Sequence, residues 1–205
     1  MATIMSDDPN ELLRQAQAGD SAMLGQLLEQ YRRYLGLLAR VQIGQRLQGK
    51  VDEMDVVQEV FLEAHRHFAG FRGMAEGQFT AWLRQILATV LSNLLRHYIG
   101  TQARDLRLEQ DITHAIDQSS LALDRALFAT ESSPSQEASR REQAVLLADA
   151  LGELPADYRE VIVLRHLQGM TFQEVAQRMG RSVTSVEKLW LRGLARLRQA
   201  MGNRP

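Results

Sequence analysis

The sequence predicts an all-α fold, with two helical domains joined by a linker. Apolar residues recur at three- and four-residue spacing along most of the chain. Alternating, strand-like runs are almost absent, and residues that start and stop helices stand at the ends of the periodic stretches. The expected division is 1–100 for the first domain, 101–142 for a partly irregular linker and 143–205 for the second domain.

Residues 9–41 read as two helices separated by Ala18-Gly19-Asp20, with Asp20 and Ser21 as caps. Leu24, Leu27, Leu28, Tyr31, Leu35 and Leu38 form one apolar stripe, expected to pack on a later helix containing Trp82. Gly44 to Gly49 reads as a loop with two basic residues, Arg46 and Lys50. Asp55 is placed to cap the next helix, whose inward positions are Val56, Val57, Val60, Phe61, Ala64 and Phe68. Gln58, Glu59 and Glu63 then fall on a solvated flank. Two glycines between Arg72 and Gln78 mark a loop. A helix over about Phe79 to Tyr98 follows, with Trp82 in a packing role. In the linker, Asp105 to Gln118 has weak helical periodicity and reads as a short helix, whereas Thr130 to Gln136 is polar and irregular.

The most informative stretch is Thr171 to Arg198. Thr171 and Glu174 have capping-box spacing. Phe172, Val175, Ala176 and Met179 make one apolar face, Gly180 suits a left-handed helix end, and Ser182 is a cap for the next helix. In that helix Val186, Leu189 or Trp190, Gly193 and Leu197 point inward. Thr184, Ser185, Glu187, Lys188, Leu191, Arg192 and Arg196 are left for the outside. Two helices around a tight turn, the second polar and basic, form the pattern of a helix-turn-helix that enters a DNA groove. Upstream, Leu154-Pro155 opens a helix whose apolar face is Tyr158, Val161, Ile162 and Leu164, and Gln168-Gly169-Met170 ends it.

Composition narrows the function classes. The 205 residues include no cysteine, which argues against disulfides and thiolate metal sites and fits a reducing cytoplasm. The five histidines show no spacing that suggests zinc. No secretory signal opens the chain, and no apolar run reaches the roughly 18 residues of a membrane span. No phosphate loop or nucleophile motif appears, so neither an enzyme nor a cofactor is expected. Net charge is −1, but its distribution is uneven. Residues 151–205 carry nine basic and five acidic side chains, whereas 101–150 carry five and nine. The positive balance falls on the expected reading domain.

The Leu-Pro start, the Arg159-to-Arg165 helix, the glycine turn and Thr171-Phe-Gln-Glu-Val-Ala resemble region 4 of bacterial sigma factors. Asp55-Val-Val-Gln-Glu-Val-Phe, Phe71-Arg-Gly and Phe79-Thr-Ala-Trp-Leu, in this order, are similar to region 2 of the extracytoplasmic-function (ECF) sigma factors. The resemblance covers nearly the whole chain apart from the linker.

It implies a specificity subunit for core RNA polymerase, binding its beta-prime and beta subunits and promoter DNA. An anti-sigma factor is a further candidate partner. By residue, the resemblance assigns Asp55, Gln58 and Glu59 to the polymerase. It assigns Arg72, Gln78, Arg84, Asn93 and Arg96 to the −10 element, where the 72–78 loop captures a flipped base. It assigns Thr184, Ser185, Glu187, Lys188, Leu191, Arg192 and Arg196 to the −35 element. Gly77-Gln78-Phe79 departs from the usual small polar residue followed by Ser-Phe, which leaves base identity at the loop open. Glu187 stands where relatives often have Lys or Arg; a carboxylate there can accept from cytosine N4. The runner-up readings are a free-standing helix-turn-helix regulator and a decoy that binds an anti-sigma factor.

Overall fold

The computed structural model describes residues 8–46, 51–99, 106–127 and 136–202, and every regular element among them is helical. Helix α1 (Pro9–Gln17) starts with Pro at its first position, and the Asp8 side chain accepts from the Asn10 amide at 3.0 Å. Gly19, at φ +105°, turns the chain into α2 (Ser21–Gln30). Asp20 caps α2 by accepting from the amides of Ala22 and Met23. The second expected helix is in fact two. Tyr31 separates α2 from α3 (Arg32–Arg46) and buries its ring edge-on to Phe79, with centroids 5.5 Å apart. Helix α3 runs through Gly44 to Arg46, where the start of a loop is expected. Residues 47–50 and the Arg46 side chain lie outside the described residues.

Helix α4 (Glu53–His67) is capped by Asp52, not Asp55. Asp52 has the extended backbone a cap needs and accepts from Met54 N at 2.7 Å; Asp55 is already inside the first turn. A 3-10 turn (Phe68–Gly70) and a loop over 71–75 lead to α5 (Glu76–Ile99). The loop is shorter than Arg72–Gln78 because Gly77 and Gln78 belong to the first turn of α5. That turn is extended backwards by a cap from elsewhere in the chain, the Asn10 side chain bound to the Glu76 amide.

The linker holds more structure than its periodicity predicts. Helix α6 (Leu106–Leu127) has 22 residues. It packs on α3 and α5 with Ile112 and Ile116 fully buried. Beside them Ser119 and Ser120 are also buried, on a polar seat. Tyr34 Oη pairs with Ser120 Oγ at 3.0 Å, and Gln42 Nε2 donates to Ser119 Oγ at 3.3 Å. Among the described side chains, buried serines beside the isoleucines dilute the hydrophobic period, which is why the sequence reads weakly there. Of the irregular stretch expected over Thr130–Gln136, residues 130–135 lie outside the described residues, and Gln136 is already the first residue of a helix.

Helix α7 (Gln136–Glu153) returns the chain to α3, followed by α8 (Ala156–Ile162), a π-helical turn (Val163–Leu167), α9 (Phe172–Met179) and α10 (Val183–Gly202). Helix α3 is the hub. Leu35, Leu38, Ala39 and Val41 are completely buried, and the helix touches α4, α5, α6 and α7. The Leu24–Leu38 stripe therefore packs only partly on α5, the Trp82 helix; its α2 part lies against α1, and its α3 part is shared with α4, α6 and α7. Ion pairs cross between the N-terminal helices and the C-terminal ones: Arg40 Nη2 to Glu160 Oε2 at 2.6 Å and Arg33 Nη1 to Glu153 Oε1 at 3.5 Å. These are partly solvated, each worth about 0–1 kcal/mol. Buried Leu147, Ala148 and Leu151 of α7 supply the apolar contact.

Candidate nucleic-acid interface

The C-terminal motif forms as its residues require. Thr171 Oγ1 accepts from Glu174 N at 3.3 Å, while Glu174 Oε2 accepts from Thr171 N at 2.7 Å, completing a capping box. These bonds hold the Glu174 carboxyl below its ordinary range. Gly180 ends α9 at φ +61°, in the left-handed region. Ser182 Oγ accepts from Ser185 N at 3.3 Å and opens α10.

The inward face of α10 consists of Val186, Gly193 and Leu197, all buried, with Leu189 and Trp190 half-buried. Gly193 permits the close crossing of α8. A Cβ there would stand 3.2 Å from Ile162 Cδ1 and 3.4 Å from Tyr158 Cβ. On the outward face Thr184, Glu187, Lys188, Leu191 and Arg192 are exposed, Leu191 by 59%. Positions 184, 187, 188, 191 and 192 lie three and four residues apart and so share one side of the helix. Arg196 is exposed but turned onto the Tyr158 ring, 4.9 Å from its centroid, and Ser185 is half-buried. Hence the structure gathers five of the seven expected residues into one stripe and puts two at its margin.

Trp190 Nε1–H donates to His166 Nε2 at 2.9 Å, and the two rings stack with centroids 6.0 Å apart. This contact locks α10 to the π-helical turn and requires His166 Nε2 to be unprotonated. Burial first, and the neighbouring Arg165 cation second, push the imidazole below its usual value of 6.5. The unfolded chain therefore takes up the proton at higher pH than the folded one. Stability from this group is complete above about pH 6.5 and is lost as pH falls towards the folded value. The thermal midpoint is expected to drop between pH 7.5 and 5.5, and His166→Gln, which keeps an acceptor but cannot titrate, should flatten part of that drop. An identical pH profile for the variant would remove His166 from the account.

The N-terminal candidates form a second surface. Asp55, Gln58 and Glu59 are all exposed on α4. Asp55 and Glu59 line a groove of about 660 Å³ between α4 and α5, together with Glu63, Gln85, Thr89 and Asn93. Gln58 lies outside it. Thus Asp55 and Glu59, expected at the polymerase, share a groove with a third carboxylate, Glu63, and with Asn93, expected at the −10 element. The Asn93 side-chain carbonyl accepts from Arg96, whose Nε also donates to Ser92 O at 3.3 Å.

Arg84 is placed differently from the other candidates. Its side chain is only 16% exposed and paired with Asp117 of α6 at 3.1 Å, and Nη1 reaches Tyr34 Oη and Ser120 Oγ. In this arrangement α6 covers it. Arg72 is exposed, with Nη1 donating to Ala69 O at 2.6 Å, and Gln78 Oε1 accepts from Met74 N at 2.7 Å, closing the loop on itself. Trp82 is half-buried against Phe71, Phe79 and Phe68, with centroids 5.0, 5.7 and 6.2 Å away. Sequence reasoning did not reach Asn10 and Gln17, which contact this loop from α1, nor Thr89 in the α4–α5 groove. No motif spacing could have signalled Asn10 and Gln17, because their partners lie more than 50 residues away. Among the described residues no group of acidic, histidine or cysteine side chains could hold a metal ion, and no helix is long and apolar enough to cross a membrane.

Comparison with known proteins adds independent support. Residues 144–197 match the family model for Sigma-70, region 4. The ECF RNA polymerase sigma-E factor of Haemophilus influenzae is 29% identical over 176 residues, 85% of either chain. The RNA polymerase sigma-H factor of Pseudomonas aeruginosa is 28% identical over 174 residues, 84% of this chain and 83% of that one. Among solved structures, CnrH in complex with the cytosolic domain of CnrY aligns over 97% of this chain and all of that one at 25% identity. Its TM-score is only 0.33, so the assignment rests on the sequence matches. Alignments that cover 84–85% of this chain take in residues of both halves, and with the region 4 match they support the family indicated by the motifs, the ECF RNA polymerase sigma factors.

Proposed function

We infer that this protein directs core RNA polymerase to specific promoters for transcription initiation, in the cytoplasm, and leaves phosphodiester chemistry to the polymerase. The observation that carries the reading is the α10 stripe: Thr184, Glu187, Lys188, Leu191 and Arg192, exposed together on a capped helix-turn-helix. Such a helix lies in the major groove with side chains on base edges, while flanking cations hold phosphates. We assign this face to the −35 element.

The α4–α5 groove is assigned to the polymerase rather than to DNA. Asp55, Glu59 and Glu63 in one groove would repel phosphates and suit a basic protein surface. Gln58 extends that contact on the exposed side of α4. The 71–75 loop with Arg72, and α5 with Gln78 at its start and Arg96 near its end, are assigned to the −10 element; Asn93, expected there too, lines the acidic groove and is grouped with the polymerase contact. Arg84 joins them only after α6 has left its seat, since Asp117 and Ser120 hold it now. The domain division proposed is the −10 and polymerase-binding unit over 1–100, the linker over 101–142 and the −35 unit over 143–205. An anti-sigma factor is a candidate regulator.

Run-off transcription with core polymerase on a promoter library, with and without this protein, tests the reading. Promoter-specific transcripts that need the protein are expected. Duplex binding without transcription or polymerase binding would favour a free-standing regulator; polymerase binding without transcripts would favour a decoy. Within the same assay, Glu187→Arg is expected to move the −35 preference from cytosine towards guanine at one position, by about 1–3 kcal/mol of discrimination. An unchanged −35 preference would remove Glu187 from base reading.

A further inference from the structure

The loop at 71–75 is held at two points by a helix remote in sequence. At its middle, Gln17 Nε2 of α1 donates to Gly73 O at 2.8 Å across 56 residues. At its exit, Asn10 Oδ1, also from α1, accepts from Glu76 N at 3.0 Å across 66 residues. That second bond supplies the first turn of α5 with a cap its own loop does not provide. Glu76 is buried, and its Oε1 accepts from Tyr31 Oη at 3.0 Å, tying the same point to the break between α2 and α3.

The loop's own sequence completes the arrangement. Gly73 has no room for a side chain: a Cβ there would lie 2.3 Å from Phe71 Cζ. The Phe71 ring is thus folded back under the loop and onto Trp82. Beside it a groove of about 660 Å³ opens between the α1–α2 turn and the loop, lined among others by Gln17, His65, Phe71, Arg72 and Met74. Met74 is 79% exposed at its rim.

We propose that α1 is a positioning element for −10 recognition, with Gln17 and Asn10 holding the 71–75 loop in its receiving shape before DNA arrives. This rests on the assignment of that loop to the −10 element. The physical reason is preorganisation. A five-residue loop ordered only on binding would charge its ordering entropy to every promoter complex, and one already fixed leaves base contacts to set the preference. Gln17 acts through the Gly73 carbonyl and is a positioning residue, not a reader of bases.

The test uses the full-length chain in two measurements. In the free protein, amide hydrogen exchange of residues 71–77 reads the brace directly. With core polymerase, selection from a promoter library randomised across the −10 region reads base preference. Gln17→Glu has the same shape but cannot donate to a carbonyl; Gln17→Lys restores a donor. Loss of one hydrogen bond corresponds to roughly a threefold to tenfold change. Gln17→Glu is expected to speed exchange at 71–77 and reduce preference at a −10 position by that factor. Gln17→Lys should recover both, and the −35 preference should stay constant throughout. Asn10→Ala should act in the same direction at Glu76. Unchanged exchange in Gln17→Glu and Asn10→Ala would overturn the brace. Faster exchange with an unaltered −10 preference would overturn the positioning role. A wild-type protein that enriches no −10 sequence would instead overturn the assignment of the loop to promoter DNA, while the exchange result still reports on the brace.

Discussion

Replacing both Lys188 and Arg192 with alanine is expected to remove promoter-specific transcription. The two side chains are exposed one turn apart on the outward face of α10, and neither contributes to the buried face of Val186, Gly193 and Leu197. A guanidinium or ammonium on a base edge or phosphate is worth about 1–3 kcal/mol. Losing two costs about 2–6 kcal/mol, roughly thirtyfold or more in promoter affinity. Removing phosphate contacts should also lessen the dependence of binding on salt. Because both residues are on the surface, the thermal midpoint should stay within the range of ordinary surface substitutions, about 0.5 kcal/mol. Run-off transcription and thermal unfolding of the same double variant check both halves of the expectation. Full promoter-specific transcription by the variant would show that α10 is not the reading helix.

The second large effect is on stability. Leu35→Ala empties a position of zero exposure on α3, the helix shared by α4, α5, α6 and α7. Truncating a buried leucine costs about 2–5 kcal/mol through lost transfer energy and the cavity left behind. For a chain of this size that lowers the thermal midpoint by roughly 5–20 °C. The location makes a further demand. The two tryptophans report on different ends of the molecule, Trp82 in the α5 aromatic cluster and Trp190 against His166. Since α3 packs on helices from both halves, Leu35→Ala should shift the transitions seen by Trp82 and by Trp190, each observed with the other replaced by Phe. A shift at Trp82 alone would mean that the halves unfold independently and that the packing of α3 on α7 contributes little.

Local signals were legible wherever a few neighbouring residues carry the whole physical cause. The capping box of Thr171 and Glu174, the left-handed Gly180 and the Ser182 cap depend on atoms within three residues of one another. Each stands where the sequence predicts it. The Asp55 cap was misjudged by three residues for a related reason. Glu53 and Met54 have good helix propensity, so the helix runs back to Asp52, the next residue able to cap it. Helix α6 was under-read because, among its described side chains, Ser119 and Ser120 are buried beside Ile112 and Ile116. Hydroxyls bury only where partners exist, and Tyr34, Gln42 and Arg84 become partners only after α3 and α5 have packed.

The candidate sites divide along the same line. The sequence alone determined an all-helical chain, a helix-turn-helix with a polar and basic second helix, and the order of motifs that marks the family. All follow from periodicity, capping and side-chain type, which act over a helical turn or two. Tertiary structure alone decided which of those residues are available. It turned Arg196 onto Tyr158, covered Arg84 with α6, joined Asp55 and Glu59 to Asn93 in one groove and tied the 71–75 loop to Asn10 and Gln17. Those pairings span tens of residues. They exist because burying the apolar faces of α3, α5 and α7 brings the polar side chains beside them into hydrogen-bonding distance, and no local pattern encodes that proximity.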